Sequence, residues 1–214
     1  MKNKKIFTEL NKYLERTGEK LVKAPWTDPN FYAAWCAQTT YYVRHSTRLL
    51  ALAGAHTAWK DQEFHNRFLK HAAEEKGHEN LTLLDLKHLD RKIENIPEFA
   101  ATQSFYQPQY YWIEKVSPMA FYGYILCLEC LAAQFGPPIT KKLTEHYGPK
   151  GAHFWRVHSE EDPGHVEEAV SRVEKFPEEV QEIVLRNMIQ SFENYEKILE
   201  SCANFAAQPV KKVA

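Results

Sequence analysis

FWRVHSEEDPGHVEEAV, residues 154–170, places His158, Asp162 and His165 in the order H-x3-D-x2-H. At about 100° per residue, offsets of four and seven bring three side chains back to one helical face within roughly 40°. Two imidazoles and a carboxylate converging on one face supply the donors that a first-row metal such as Fe, Mn or Zn takes. The same spacing occurs in LKHAAEEKGHENL, residues 69–81, where His71, Glu75 and His78 read H-x3-E-x2-H. With ten His and twenty-eight Asp plus Glu in 214 residues, random placement yields about 0.06 such matches, and two arise by chance with a probability of roughly 0.002. The plain alternative is a pair of polar helix faces whose histidines meet solvent.

Composition narrows the setting. A chain of 214 residues buries one sizeable core, so a single domain over residues 1–207 with a frayed tail at 208–214 is expected. The formal net charge is −1 and the basic residues are dispersed, which argues against nucleic acid as a partner. No run of eighteen apolar residues is present and MKNKKIFTEL lacks the apolar core of a secretory signal, so a soluble cytoplasmic protein without membrane association is expected. Cys36, Cys127, Cys130 and Cys202 form no disulfide framework. The C-x2-C at Cys127 and Cys130 lies in an apolar helical stretch and reads as buried thiols.

Along the chain, periodicity predicts helices over Lys2–Arg16, closed by Gly18, and over Asn30 to about His56, with Asp28 as N-cap and Pro29 at the first position. The second has Trp35, Tyr42, Leu49 and His56 on a buried seam. Asp61–Asp90 reads as one long helix carrying the first triad. Glu98–Glu114 reads as an aromatic helix bent or divided at Pro108. A helix from Ser117-Pro118 should end near Phe135 at Gly136-Pro137-Pro138, with a short helix Ile139–Tyr147 after it. Pro163 and Gly164 interrupt the second triad, so that Asp162 is either a metal ligand on a bent helix or the N-cap of a new one. Glu178–Ala207 completes an all-α domain of seven to eight helices.

Glu129 lies among Leu126, Cys127, Leu128, Leu131 and Ala132. An ionised carboxylate in such surroundings needs a cation, either a metal or a salt-bridge partner. Together with the two triads it gives a ligand set of Glu75, His78, Glu129, His158, Asp162 and His165. Three carboxylates and three imidazoles exceed what one open metal site uses and suit two ions; oxygen-rich, thiolate-free ligation favours Fe or Mn. Arg44 or Arg48 could pair with a substrate carboxylate, and His45 flanks the same seam.

EEKGHENLTLLDL, the lone Glu in YILCLECLAAQFG, and HSEEDPGH together resemble the heme-oxygenase-like diiron oxidase and oxygenase superfamily over roughly Ala73 to Val166. The fold is shared with heme oxygenase, TenA-type thiaminases and the pyrroloquinoline-quinone biosynthesis oxidase. The resemblance implies a seven- or eight-helix bundle with two Fe ions held by the six residues above. It also implies O2 as co-substrate, an external electron donor and a small amine, amino acid or fatty-acid-like substrate lying against an aromatic wall from Phe105 to Tyr124. N-oxygenation, desaturation and oxidative C–C cleavage all occur in such enzymes. Some members carry a Glu seven residues before the His, where this chain has His71; His71 is then an additional ligand, an outer group or a surface residue. The oligomeric state is open between a monomer and a homodimer. Two alternatives stand beside this reading: a metal-free TenA-like hydrolase with Cys127 or Cys130 as nucleophile and Glu129 as acid–base partner, and a non-catalytic helical interaction protein.

Overall fold

Ile6, Leu10, Leu14, Thr17 and Leu21 recur at helical spacing and form the buried stripe of α1 (Lys5–Lys23). The computed structural model describes residues 5–208; the expected start at Lys2 and most of the C-terminal tail lie outside them. Gly18 does not end α1 but sits inside it, where the Phe135 ring fills the space a Cβ would need. Asp28 caps α2 (Pro29–Val43) as expected, accepting from the amides of Asn30 and Phe31.

The predicted helix from Asn30 to His56 is two segments, with α3 (Ser46–His56) starting after a turn at Arg44 and His45. Trp35, Tyr42 and Leu49 are buried on the seam, whereas His56 is exposed. The predicted helix Asp61–Asp90 also divides, into α4 (Gln62–Glu74) and α5 (Glu79–His88). The break is Gly77, whose φ of 93° lies in the left-handed region that glycine adopts without steric cost.

α6 (Ala100–Tyr111) passes Pro108 and ends in a π-helical turn at Trp112–Val116, so the segment is one helix and not two. Ser117 caps a 3-10 turn, Pro118–Phe121, that leads into α7 (Tyr122–Tyr147). Gly136, Pro137 and Pro138 do not stop α7, which absorbs the expected short helix into one rod of 26 residues. Pro118–Tyr147 is long and apolar enough to cross a membrane, but 78% of its most apolar window is buried inside the bundle. α8 (His153–Lys175) is likewise continuous through Pro163 and Gly164, and α9 (Glu178–Ala206) closes the chain.

Among the described residues there is no strand. α7 lies against both α8 and α9, and Gly123 lets α7 approach α9 backbone to backbone, its position for a Cβ being 2.5 Å from the Met188 amide and the Val184 carbonyl. α2 packs on α5 and α3 on α4, so each broken pair acts as one interrupted rod and the described residues form seven rods. Asp85, fully buried on α5, accepts from the amides of His153 (2.7 Å) and Phe154 (3.1 Å) and from His153 Nδ1 (2.9 Å). It thereby satisfies the open N-terminus of α8 and fixes where the second triad begins.

Candidate metal centre

Three rods deliver the donors. α4 and the turn after it bring His71, Glu75 and His78; α7 brings Glu129; α8 brings His158, Asp162 and His165. They gather in two groups, His71 with Glu129 and His165, and Glu75 with His78 and His158, each holding three potential ligand atoms within 4.8 Å of one another. Two carboxylates span the groups. Asp162 Oδ1 lies 3.2 Å from His158 Nδ1 and 3.5 Å from His165 Nδ1, and Glu75 Oε1 lies 3.6 Å from His78 Nδ1 and 3.8 Å from His71 Nε2.

His71 is therefore part of the set, facing His165 with ring centroids 5.1 Å apart. Asp162 is not the N-cap of a new helix; it lies one turn after His158 on an unbroken one. The first triad, by contrast, does not share a helix face. Glu75 is the last residue of α4's cap and His78 stands at the start of α5.

Do these residues suit a cation? Both oxygens of Glu129, His78 Nδ1, His158 Nε2 and His165 Nδ1 are buried without a hydrogen-bond partner. His71 Nε2 approaches Glu129 Oε1 to 3.0 Å without the alignment of a hydrogen bond. Orphaned donors and acceptors of this kind cost roughly 1–3 kcal/mol each. A pair of divalent ions would engage all of them, and no lysine or arginine lies within ion-pair distance of Glu129 among the described residues.

The charges agree with that fit. Burial resists ionisation of Glu75, yet His78, His158 and His71 outweigh it and hold its pKa at about 2. For Glu129 burial wins, and its carboxyl is pushed above the ordinary value despite His71. The adjacent Asp162 raises His165 to about 9 against the effect of burial. His158 is raised as well, because Asp162 and Glu75 overcome its burial.

The centre opens on an apolar cavity of about 60 Å³, bounded by Trp35, Tyr42, Leu50, Phe121, Tyr124, Leu128, Phe154 and Trp155. That is room for a few waters or part of a small ligand. Phe121 and Tyr124 belong to the expected aromatic wall, but Phe105 stands behind Tyr124, its ring centroid 4.7 Å away. Arg44 and Arg48 do not line the cavity, contrary to the substrate role considered for them. Both are exposed, Arg44 beside Glu98 and stacked on Tyr41, Arg48 donating to the Arg44 carbonyl. His45 is taken up by Tyr110 Oη at 2.7 Å and by stacking on Tyr106. Both Cys127 and Cys130 are buried and outside the cavity lining, and burial pushes their thiols up, Cys130 to about 12. Neither is set up as a nucleophile. Asp85 and Arg67 were not singled out from sequence, although Arg67 stands four residues before His71 and so on its face of the helix.

An all-helical bundle with paired His and carboxylate groups at its centre is the class that fold and site define. The chain belongs to the family of iron-containing redox enzymes, whose model matches residues 33–193, about three quarters of its length. Among solved structures it is similar to a domain with a heme oxygenase-like fold from Shewanella denitrificans OS217, at 21% identity and TM-score 0.83, covering 97% of this chain and 98% of that one. It is also similar to a TenA homologue from P. horikoshii OT3, at 14% identity and TM-score 0.74 with 94% and 99% covered. A TenA homologue from Pseudomonas syringae pv. tomato DC3000 matches at 12% identity and TM-score 0.73, with 94% and 93% covered. These likenesses establish the heme-oxygenase-like fold. A comparison with curated proteins finds no match.

Proposed function

We propose that the chain is an O2-dependent non-heme dinuclear iron oxidase or oxygenase acting on a small amine, amino acid or fatty-acid-like substrate. The observation that carries this reading is the pair of donor groups, bridged by Asp162 and Glu75, whose orphaned polar atoms face one another beside an apolar cavity. His71, Glu129 and His165 would hold one ion and Glu75, His78 and His158 the other, with Asp162 shared. When bound, two such ions supply electrons to O2 and so open oxidation of an otherwise unreactive C–H or N–H bond.

The chain's own residues do the rest. Three carboxylates against two divalent ions leave the centre cationic, which favours an anionic or lone-pair-bearing end of the substrate there. The aromatic and aliphatic wall takes the apolar remainder and excludes water. Burial of Asp162 at 2% exposure keeps its carboxylate out of competing hydrogen bonds with solvent. An external electron donor is part of the reading, and the four unpaired, buried cysteines support a reducing, cytoplasmic setting.

Anaerobic loading with Fe(II) tests the proposal. Two Fe per chain and O2 uptake by the reduced protein are expected; a folded chain that retains no iron would overturn it. Alkylation of accessible thiols should leave the uptake unchanged.

A further inference from the structure

The two donor groups are backed differently. His165 presents Nδ1 to the interior, towards Glu129 and Asp162, while its Nε2 faces Glu74 Oε2 at 3.8 Å. His78 likewise turns Nδ1 inward, and its Nε2 faces Glu161 at 3.8 Å. Each of these outer histidines thus has a carboxylate behind it at ion-pair distance, beyond hydrogen-bond reach but on the side from which a carboxylate orients a metal-bound imidazole.

Only one of these carboxylates is held by a buried cation. Glu74 is bound by Arg67 Nη1 at 3.0 Å, besides the exposed Lys70 at 3.3 Å, and Arg67 Nε reaches Glu168 at 2.9 Å, three residues beyond His165, where Arg172 also binds at 2.9 Å. Arg67 is 7% exposed, a buried cation tying α4 to α8 next to a small void that it shares with His71, Tyr122 and Glu129. Its guanidinium engages two carboxylates through separate nitrogens, a geometry an ammonium does not reproduce. Glu161 is half exposed and has no lysine or arginine within ion-pair distance among the described residues.

We propose that Arg67 is a positioning residue for one half of the centre: through Glu74 and Glu168 it sets the approach of His165 to His71, and with it the affinity of the position at Glu129. This rests on the metal reading given above and adds to it that the two positions are unequal. The position at Glu129 depends on Arg67; the one at Glu75, His78 and His158 does not.

Titration of the metal-free chain with Co(II), followed by its d–d absorption, tests this without any turnover. Two Co(II) are expected per wild-type chain. Arg67→Met should keep one at wild-type affinity and weaken the other at least tenfold. In a His78→Ala background, which leaves the position at Glu129, Arg67→Met should remove the remaining tight ion, and Arg67→Lys should restore it only in part. Glu74→Gln should act in the same direction, and it carries the test if Arg67→Met fails to fold. An Arg67→Met chain of wild-type helicity that binds both ions with unchanged affinity overturns the inference while leaving the metal reading intact. A wild-type chain that takes up no Co(II) overturns both.

Discussion

Residues 71–78 and 158–165 carry identical spacing of His, carboxylate and His, and the chain folds them in opposite ways. Local rules favour a break in the second, where Pro163 and Gly164 sit between Asp162 and His165, and continuity in the first. The structure reverses this. α8 runs straight through its proline and glycine, whereas the first segment turns at Gly77 between α4 and α5. A proline inside a helix costs about 3 kcal/mol, which burial of Phe154, Trp155, His158 and Ala169 against the bundle and the cap from Asp85 together offset. The first segment is anchored on both sides of Gly77, by Arg67, Phe68 and His71 on α4 and by Thr82, Asp85 and Leu86 on α5, and the left-handed φ that Gly77 adopts lets the chain turn between the two anchors. Spacing of donors is thus a statement about reach, which a helix face and a turn can both satisfy.

Asp162→Ala should separate the two segments most sharply, since Asp162 faces both donor groups. Metal analysis after anaerobic loading should show both ions weakened by roughly 100-fold or more. Loss of only one ion would mean that the carboxylate serves a single position. Asp85→Ala comes next. Removing a buried carboxylate that accepts three hydrogen bonds should cost about 2–4 kcal/mol in urea unfolding. It should loosen α8 but not the turn at Gly77.

Two backbone variants then probe the contrast directly. Pro163→Ala restores an amide to α8 and should stabilise the fold by about 1–2 kcal/mol with both ions retained. Gly77→Ala places a Cβ at φ 93° and should cost about 1 kcal/mol, with the position at His78 weakened in a metal titration. If Pro163→Ala loses metal instead, the proline has a role at the centre. The smallest effect is protonic. His165, with its pKa raised to about 9, carries a proton at pH 7 that a metal must displace. Loading in weak buffer at pH 7 should release at least one proton per chain, and apparent affinity should rise from pH 7 towards about 9 and then level off.

Much of the site could be read along the chain because metal donors are chemically distinctive. Glu129 stood out as a charge among leucines, and in the fold it is buried with both oxygens lacking a hydrogen-bond partner. His71 could not be assigned, because its role depends on facing His165 across two helices that no local pattern aligns. Arg44 and Arg48 illustrate the reverse: adjacency to a buried seam suggested a cavity, and the turn at Arg44 and His45 carried both to the surface. Asp28-Pro29 starts a helix as expected, but Gly18 and Pro137-Pro138 lie inside the helices they were expected to end. In each case tertiary contacts override propensities of a few kcal/mol at most.

The amino-acid sequence by itself determined an all-helical chain and the residue types that converge at its centre, since periodicity and donor chemistry are local properties. The tertiary structure alone decided that His71, Glu129 and His165 gather in one group and Glu75, His78 and His158 in another, with Asp162 between them. It also placed the buried Arg67 beside Glu74, behind His165. Those facts are distances between rods far apart in sequence, set by how side chains pack across the bundle and by the Asp85 clamp on α8, neither of which leaves a periodic trace.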